Sequence, residues 1–193
     1  MSASARPSGR RLASSATMEL TVPSCESGIG RVIVSPDSAD LIAGVRVRPV
    51  AVWPDDRGYF LEVFRAGQGL VEAYPGATTQ VSTSLSYPGT IKAFHYHLDQ
   101  HDVWTVTAGM LQVALVDLRE GSATYGVKNT LYVGELRPWQ ILIPPGVAHG
   151  YKVIGTRPAM LVYATDRVYN PQDEGRLPYD DAGIHYDWEL QHK

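Results

Sequence analysis

The chain has 193 residues, of which 44% are hydrophobic and 19% charged, so it is about one domain long and too apolar to remain disordered. Seventeen basic against twenty acidic side chains give a net charge of −3, which leaves no cationic surplus for a phosphate backbone and excludes nucleic acid as the expected partner. The single cysteine, Cys25, excludes an internal disulfide or a thiolate metal site and suits a reducing, cytoplasmic setting.

Residues 1–17 carry Arg6, Arg10 and Arg11 with no acid, among Ser, Ala, Gly and Pro. No apolar run there is long enough for a signal-peptide core or a membrane span, and no membrane association is expected. The composition suits a disordered basic tail, and also an organelle transit peptide, ahead of a single domain over residues 18–193. From Leu41 onward, short stretches of β-branched and aromatic residues alternate with Gly, Pro, Asp or Asn, the pattern of antiparallel β-structure. Strands are predicted at Val45–Trp53, Tyr59–Phe64, Thr90–Tyr96, Val103–Thr107, Leu111–Leu118, Leu131–Val133, Gln140–Ile143, Gly150–Ile154 and Ala159–Thr165. Ala66–Glu72 is the one helical candidate, weakened by Gly67 and Gly69. No strand-helix-strand rhythm occurs, so the fold class is all-β, a sandwich or barrel. Tyr169–Gly183, with Asn170-Pro171, Gly175 and Pro178, is expected to be an ordered loop wrapping the barrel.

Four of the six histidines fall in two places, His95, His97 and His101 in one and His149 in the other. On a strand, residues i and i+2 share a face, so His95 and His97 point together into whatever their sheet encloses. Imidazoles brought together with a carboxylate make a mixed nitrogen and oxygen donor set suited to Fe, Mn, Co, Ni or Zn. Gly89 to Gly109 reads G-x5-H-x-H-x4-D-x6-G, and Pro144 to His149 reads P-x-G-x-x-H; together they resemble the two signatures of the cupin superfamily. The resemblance implies a double-stranded β-helix, the jelly-roll barrel, with a divalent metal held by His95, His97, Asp102 and His149. No organic cofactor is implied.

Five segments in order resemble one cupin family, the dTDP-4-dehydrorhamnose 3,5-epimerases, over about residues 40–188. Asp56 to Arg65 (DRGYFLEVFR) resembles D-x-R-G-F-F-x-E, and Gln80 to His97 (QVSTSLSYPGTIKAFHYH) resembles Q-D-N-x-S-x-S-x-x-G-V-L-R-G-L-H-Y-Q. Gly109 to Arg119, Ile143 to Gly150 (IPPGVAHG) and Tyr163 to Pro171 (YATDRVYNP) supply the other three. The resemblance implies an isomerase acting on a nucleotide-linked 4-keto-deoxy sugar, with His95 as the base that takes the proton α to the ketone and Tyr163 as the acid on the other ring face. It also implies that Arg57, Phe60, Glu62, Gln80 and Lys92 contact the sugar nucleotide and that Tyr169 stacks on the base. A homodimer follows from it as well, in which Arg57 and Glu62 complete the site of the other subunit.

Departures from the family pattern cluster at the chemistry. Asp102 stands where the family has a Lys, Lys92 where it has an Arg, and Ser82 where it has an Asn; the family's L-S-x-K-D segment has no counterpart up to Lys193. His97 and Asp102 are the two replacements that complete a metal-type cupin motif, and a metal could stabilise an enolate as the lost Lys does. A metal-bound His95 has no free lone pair, so the metal and the base compete for one residue. Two alternatives therefore stand beside the epimerase: a metal-dependent cupin, dioxygenase or isomerase, with a non-nucleotide substrate, and a non-catalytic sugar-binding cupin.

Overall fold

The structure, a computed structural model, describes residues 10–15 and 18–189. Its strands in chain order are β1 (Arg10–Ser15), β2 (Met18–Val22), β3 (Arg31–Val32), β4 (Arg46–Pro49), β5 (Val52–Asp55), β6 (Gly58–Leu61), β7 (Gln80–Ser86), β8 (Ile91–His97), β9 (Asp102–Ala108), β10 (Met110–Asp117), β11 (Lys128–Gly134), β12 (Trp139–Ile143), β13 (Val147–Ile154), β14 (Ala159–Thr165) and β15 (Glu174–Arg176). Six strands in the order β15-β8-β13-β10-β11-β3 form one sheet, and five in the order β4-β12-β9-β14-β7 form the other. From β7 to β14 the chain crosses between the sheets at every connection except β10 to β11, which winds two strands of chain into a double-stranded β-helix, the jelly-roll barrel of the cupins.

Leu111, Val113 and Leu115 of the larger sheet pack against Trp104, Ile141, Ile143 and Leu161 of the smaller one, filling the space between the sheets at one end. Alternate residues serve the outside. Phe94, Tyr96, Ala114 and Val116 turn outward from the larger sheet beneath Leu20, Val22, Tyr186 and Trp188. On the outside of the smaller sheet, Val103 and Ala164 lie under Leu70 and Val71, whereas Val81 and Leu85 of β7 remain exposed.

Each predicted strand has a counterpart, with Val45–Trp53 divided into β4 and β5. The helical expectation at Ala66–Glu72 shrinks to a single 3-10 turn, Gly69–Val71, because Gly67 and Gly69 both take positive φ. Part of the expected tail is ordered: Arg10–Ser15 pairs antiparallel with Met18–Val22, and Arg10 Nη2 donates to Asp181 Oδ2 at 2.6 Å. The rest of the tail, residues 1–9, 16 and 17, lies outside the described residues. The wrapping segment Tyr169–Gly183 contains strand β15, which pairs with β8. Among the described residues, no helix is long and apolar enough to cross a membrane.

Candidate active site

Where the apolar filling between the sheets stops, a cavity of about 650 Å³ opens, lined by His95, His97, Lys92, Asp102, Trp104, Tyr163 and their neighbours. The histidines arrive from two adjacent strands. His95 pairs directly with His149 across β8 and β13, and their rings stand 4.2 Å apart between centroids. His97 follows two residues later on the same face, while Phe94 and Tyr96 turn to the outer cluster, as strand alternation requires.

Lys92 and His95 are three residues apart and would face opposite sides of a regular strand. Both line the cavity because β8 carries a bulge: Lys92 pairs with Tyr151 and His95 with His149, so three steps on β8 match two on β13. Gly150 stands opposite this bulge, and a Cβ there would lie 2.3 Å from Ala93 Cβ, so the close approach of the two backbones requires glycine. Gly146 N–H donates to His97 O at 2.8 Å and ties the P-x-G-x-x-H loop to the end of β8.

The opposing sheet supplies Asp102 and Trp104 from β9 and Tyr163 from β14, with Tyr163 paired to Trp104. The buried Asp102 carboxylate accepts from Gln100 Nε2 at 2.8 Å and from Trp104 Nε1 at 3.1 Å, and stands 3.6 Å from His149 Nε2. An anion at the Lys position is thus satisfied by two N–H donors, which burial of a carboxylate demands. Burial, reinforced by the neighbouring His149 and opposed by Asp102, pushes His95 down to about 3. Burial, then His97, pushes His149 down to about 3 as well, against its hydrogen bond to Val147 O. Both imidazoles are therefore neutral at neutral pH.

Neutral imidazoles such as those of His95 and His149 also suit a metal. The ligand atoms of His95, His97 and His149 lie within 4.8 Å of one another, and His95 Nδ1, His97 Nδ1 and His149 Nε2 are buried without a hydrogen-bond partner, His97 Nδ1 standing 3.7 Å from Asp173 Oδ2. His149 donates from Nδ1 to Val147 O at 2.9 Å, which leaves the Nε2 lone pair facing Asp102. The donor set fits a divalent cation, although Gln100 Nε2, 3.2 Å from His97 Nε2, already occupies that side of the ring.

Gln80, Lys92 and Tyr169 line the same cavity. Lys92 Nζ donates to Ser84 Oγ at 2.7 Å, and Gln80 Oε1 accepts from Tyr169 N at 3.3 Å. Arg57, Phe60 and Glu62 do not join them. Arg57 is bound to Asp55, Phe60 is 65% exposed and Glu62 is bound to Arg65, all in or beside the β5–β6 hairpin on the outside of the barrel. Glu62 lines a separate outer cleft of about 210 Å³ with Arg48 and Arg65. His101 also stays out of the cavity, paired with Asp166 at 3.0 Å; against the cost of burial, its hydrogen bonds hold the Asp166 carboxyl below the usual range.

Sequence reasoning missed Gln100, Trp104, Tyr151, Glu174 and Arg176, all of which line the cavity. Trp104 and Tyr151 were reachable by the period of two that joins His95 to His97, starting from Asp102 and His149. Glu174 and Arg176 carried no such signal, because β15 has three residues inside a stretch rich in turn formers.

Residues 40–193 match the family model described as dTDP-4-dehydrorhamnose 3,5-epimerase. The chain is 46% identical over 153 residues to the spore coat polysaccharide biosynthesis protein SpsL of Bacillus subtilis, covering 78% of this chain and 99% of that protein. It is 34% identical over 146 residues to the dTDP-4-dehydrorhamnose 3,5-epimerase of Pseudomonas aeruginosa, covering 72% and 78%. A crystal structure of dTDP-6-deoxy-D-glucose-3,5-epimerase from Legionella pneumophila in complex with dTDP-4-keto-L-rhamnose superimposes with a TM-score of 0.64 at 27% identity, covering 77% of this chain and 80% of that one.

Proposed function

The chain belongs to the dTDP-4-dehydrorhamnose 3,5-epimerase family, and from that premise we propose that it inverts carbons beside the ketone of a nucleotide-linked 4-keto-6-deoxy sugar. One observation carries the reading: His95 and Tyr163 come from opposite sheets and line one cavity large enough for a hexose. A ketone acidifies the hydrogens on its neighbouring carbons, so a neutral imidazole on one side can remove such a proton. A phenol on the other side can return one, and the two together invert the carbon. Burial of His95 favours the neutral form that a base needs. Gln80, Lys92 and Tyr169 hold the nucleotide end.

Arg57, Phe60 and Glu62 serve the cavity of a second copy in a homodimer. Support comes from the outer surface, where Trp53 and Phe60 are exposed with their rings 5.7 Å apart, and where Val81 and Leu85 of β7, with Tyr87 just beyond it, are also exposed. Such an apolar edge strand calls for a cover.

Incubation with dTDP-4-keto-6-deoxyglucose in deuterated water tests the reaction. The expected result is deuterium at the carbons α to the ketone; no exchange, with or without added divalent metal, overturns the proposal.

The unpartnered imidazole nitrogens favour a second reading, in which His95, His97 and His149 with Asp102 hold a divalent cation. When bound, such an ion supplies Lewis-acid polarisation of a carbonyl oxygen. His95 then acts as a ligand and is lost as a base, so proton transfer falls to Tyr163. Metal analysis of purified protein distinguishes the two: stoichiometric metal lost in His97→Ala and Asp102→Ala supports the cation, and its absence after metal loading refutes it.

A further inference from the structure

Strand β15 pairs with β8 so that Glu174 stands opposite His97 and Arg176 opposite His95, and both residues line the cavity. The Arg176 side chain is 80% exposed, and its Nε donates to Glu174 Oε1 at 2.7 Å. Glu174 is only 13% exposed on its side chain, so it is the fixed partner and the guanidinium the mobile one. Engagement of Nε by that carboxylate leaves the two terminal nitrogens of the guanidinium without a partner among the described residues. With its guanidinium largely in solvent, the pair is screened on the Arg176 side, so the guanidinium exchanges partners at little cost.

The cavity is lined by the neutral imidazole of His95, by the hydrogen-bonded Asp102 and by Glu174, and the lining residues bearing fixed positive charge are Lys92 and Arg176. Lys92 donates one of its three ammonium N–H groups to Ser84 Oγ and offers the rest as a point charge, whereas Arg176 presents both terminal guanidinium nitrogens side by side. A planar fork with two free NH2 groups matches two phosphoryl oxygens, a geometry that an ammonium point charge does not offer.

We propose that Arg176, aimed by Glu174, binds the diphosphate of the substrate at the mouth of the cavity. The inference rests on the sugar-nucleotide reading and names a residue for its anionic part. Calorimetric titration with dTDP, and separately with thymidine, tests it on the full chain. Arg176→Gln is expected to weaken dTDP binding about tenfold, the loss of one charge-assisted contact, and Arg176→Lys to fall between it and the unaltered protein. Thymidine binding should not change, and in turnover KM should rise by the factor seen for dTDP with kcat preserved. Arg176→Gln within twofold of the unaltered protein for dTDP overturns the assignment, as does an equal loss for dTDP and thymidine, which would mark a disturbed strand. Failure of the unaltered protein to bind dTDP is a different outcome: it overturns the sugar-nucleotide reading itself.

Discussion

Strands β10 and β7 belong to the same barrel and bury opposite kinds of residue. Seven of the eight residues of β10 are buried, with Leu111, Val113 and Leu115 facing the barrel interior and Ala114 and Val116 facing an outer cover built by the same chain. β7 alternates instead, with Gln80, Ser82 and Ser84 turned inward and Val81, Thr83 and Leu85 exposed. The inward polarity marks the open, reactive end of the barrel, where Gln80 and Ser84 line the cavity. The outward apolarity marks a face that the described residues do not cover. A wall strand that reverses the usual pattern thus presents polar groups to the cavity and an apolar face to the outside, the face on which the proposed homodimer rests.

The sharpest way to break the distinction between filled and open ends is to remove the base from the open end. His95→Asn should lower turnover about a thousandfold, within the range lost with a general base, while dTDP binding measured by calorimetry stays within a fewfold. A loss under tenfold would move the base elsewhere. Next in size is the junction between the two ends. Gly150→Ala drives a Cβ to 2.3 Å from Ala93 Cβ and should cost about 2–3 kcal/mol of unfolding free energy, read by denaturant titration, with loss of activity as Lys92 and His95 are displaced. An unchanged midpoint would show that the bulge is not held by close packing.

A smaller effect tests the buried imidazoles. His95 and His149 are pushed down to about 3 by burial, below the value of about 6.5 for an unfolded histidine. The unfolded chain therefore binds more protons below about pH 6.5, and stability must fall with acidification. Each should contribute a loss of roughly 1–2 kcal/mol between about pH 6.5 and pH 5, and His149→Gln should flatten that slope in thermal melts. A slope unchanged by the substitution would contradict the assigned neutral state. The gentlest perturbation concerns the uncovered face. Leu85→Lys, at a position already 53% exposed, should leave the fold intact, within about 0.5 kcal/mol, while shifting sedimentation from dimer toward monomer at micromolar concentration. Monomeric, fully active unaltered protein would remove the shared site.

Much of the barrel was legible because its strands follow simple periodicity. His95 and His97 could be placed on one face from their spacing alone, and the P-x-G-x-x-H motif brought His149 to them. β7 escaped periodicity because its inner face of Gln80 and serines inverts the hydrophobic pattern, and only the family resemblance covered it. The bulge that turns Lys92 inward depends on a residue in another strand, Gly150, and no local pattern announces such a pairing. Arg57, Phe60 and Glu62 were legible as a motif but not as a place, because nothing in the hairpin's own residues says that it folds outside the cavity. The same holds for Arg10–Ser15, whose composition resembles a tail and whose pairing depends on β2.

The central claim, that acid and base stand on opposite walls of one cavity, is tested most directly with Tyr163→Phe. Proton spectra of dTDP-4-keto-6-deoxyglucose in deuterated water should show wash-out at the carbon α to the ketone that His95 attacks, without accumulation of the inverted sugar. Inversion at the unaltered rate, or loss of exchange and inversion together with dTDP binding intact, would contradict the division of labour between the two sheets.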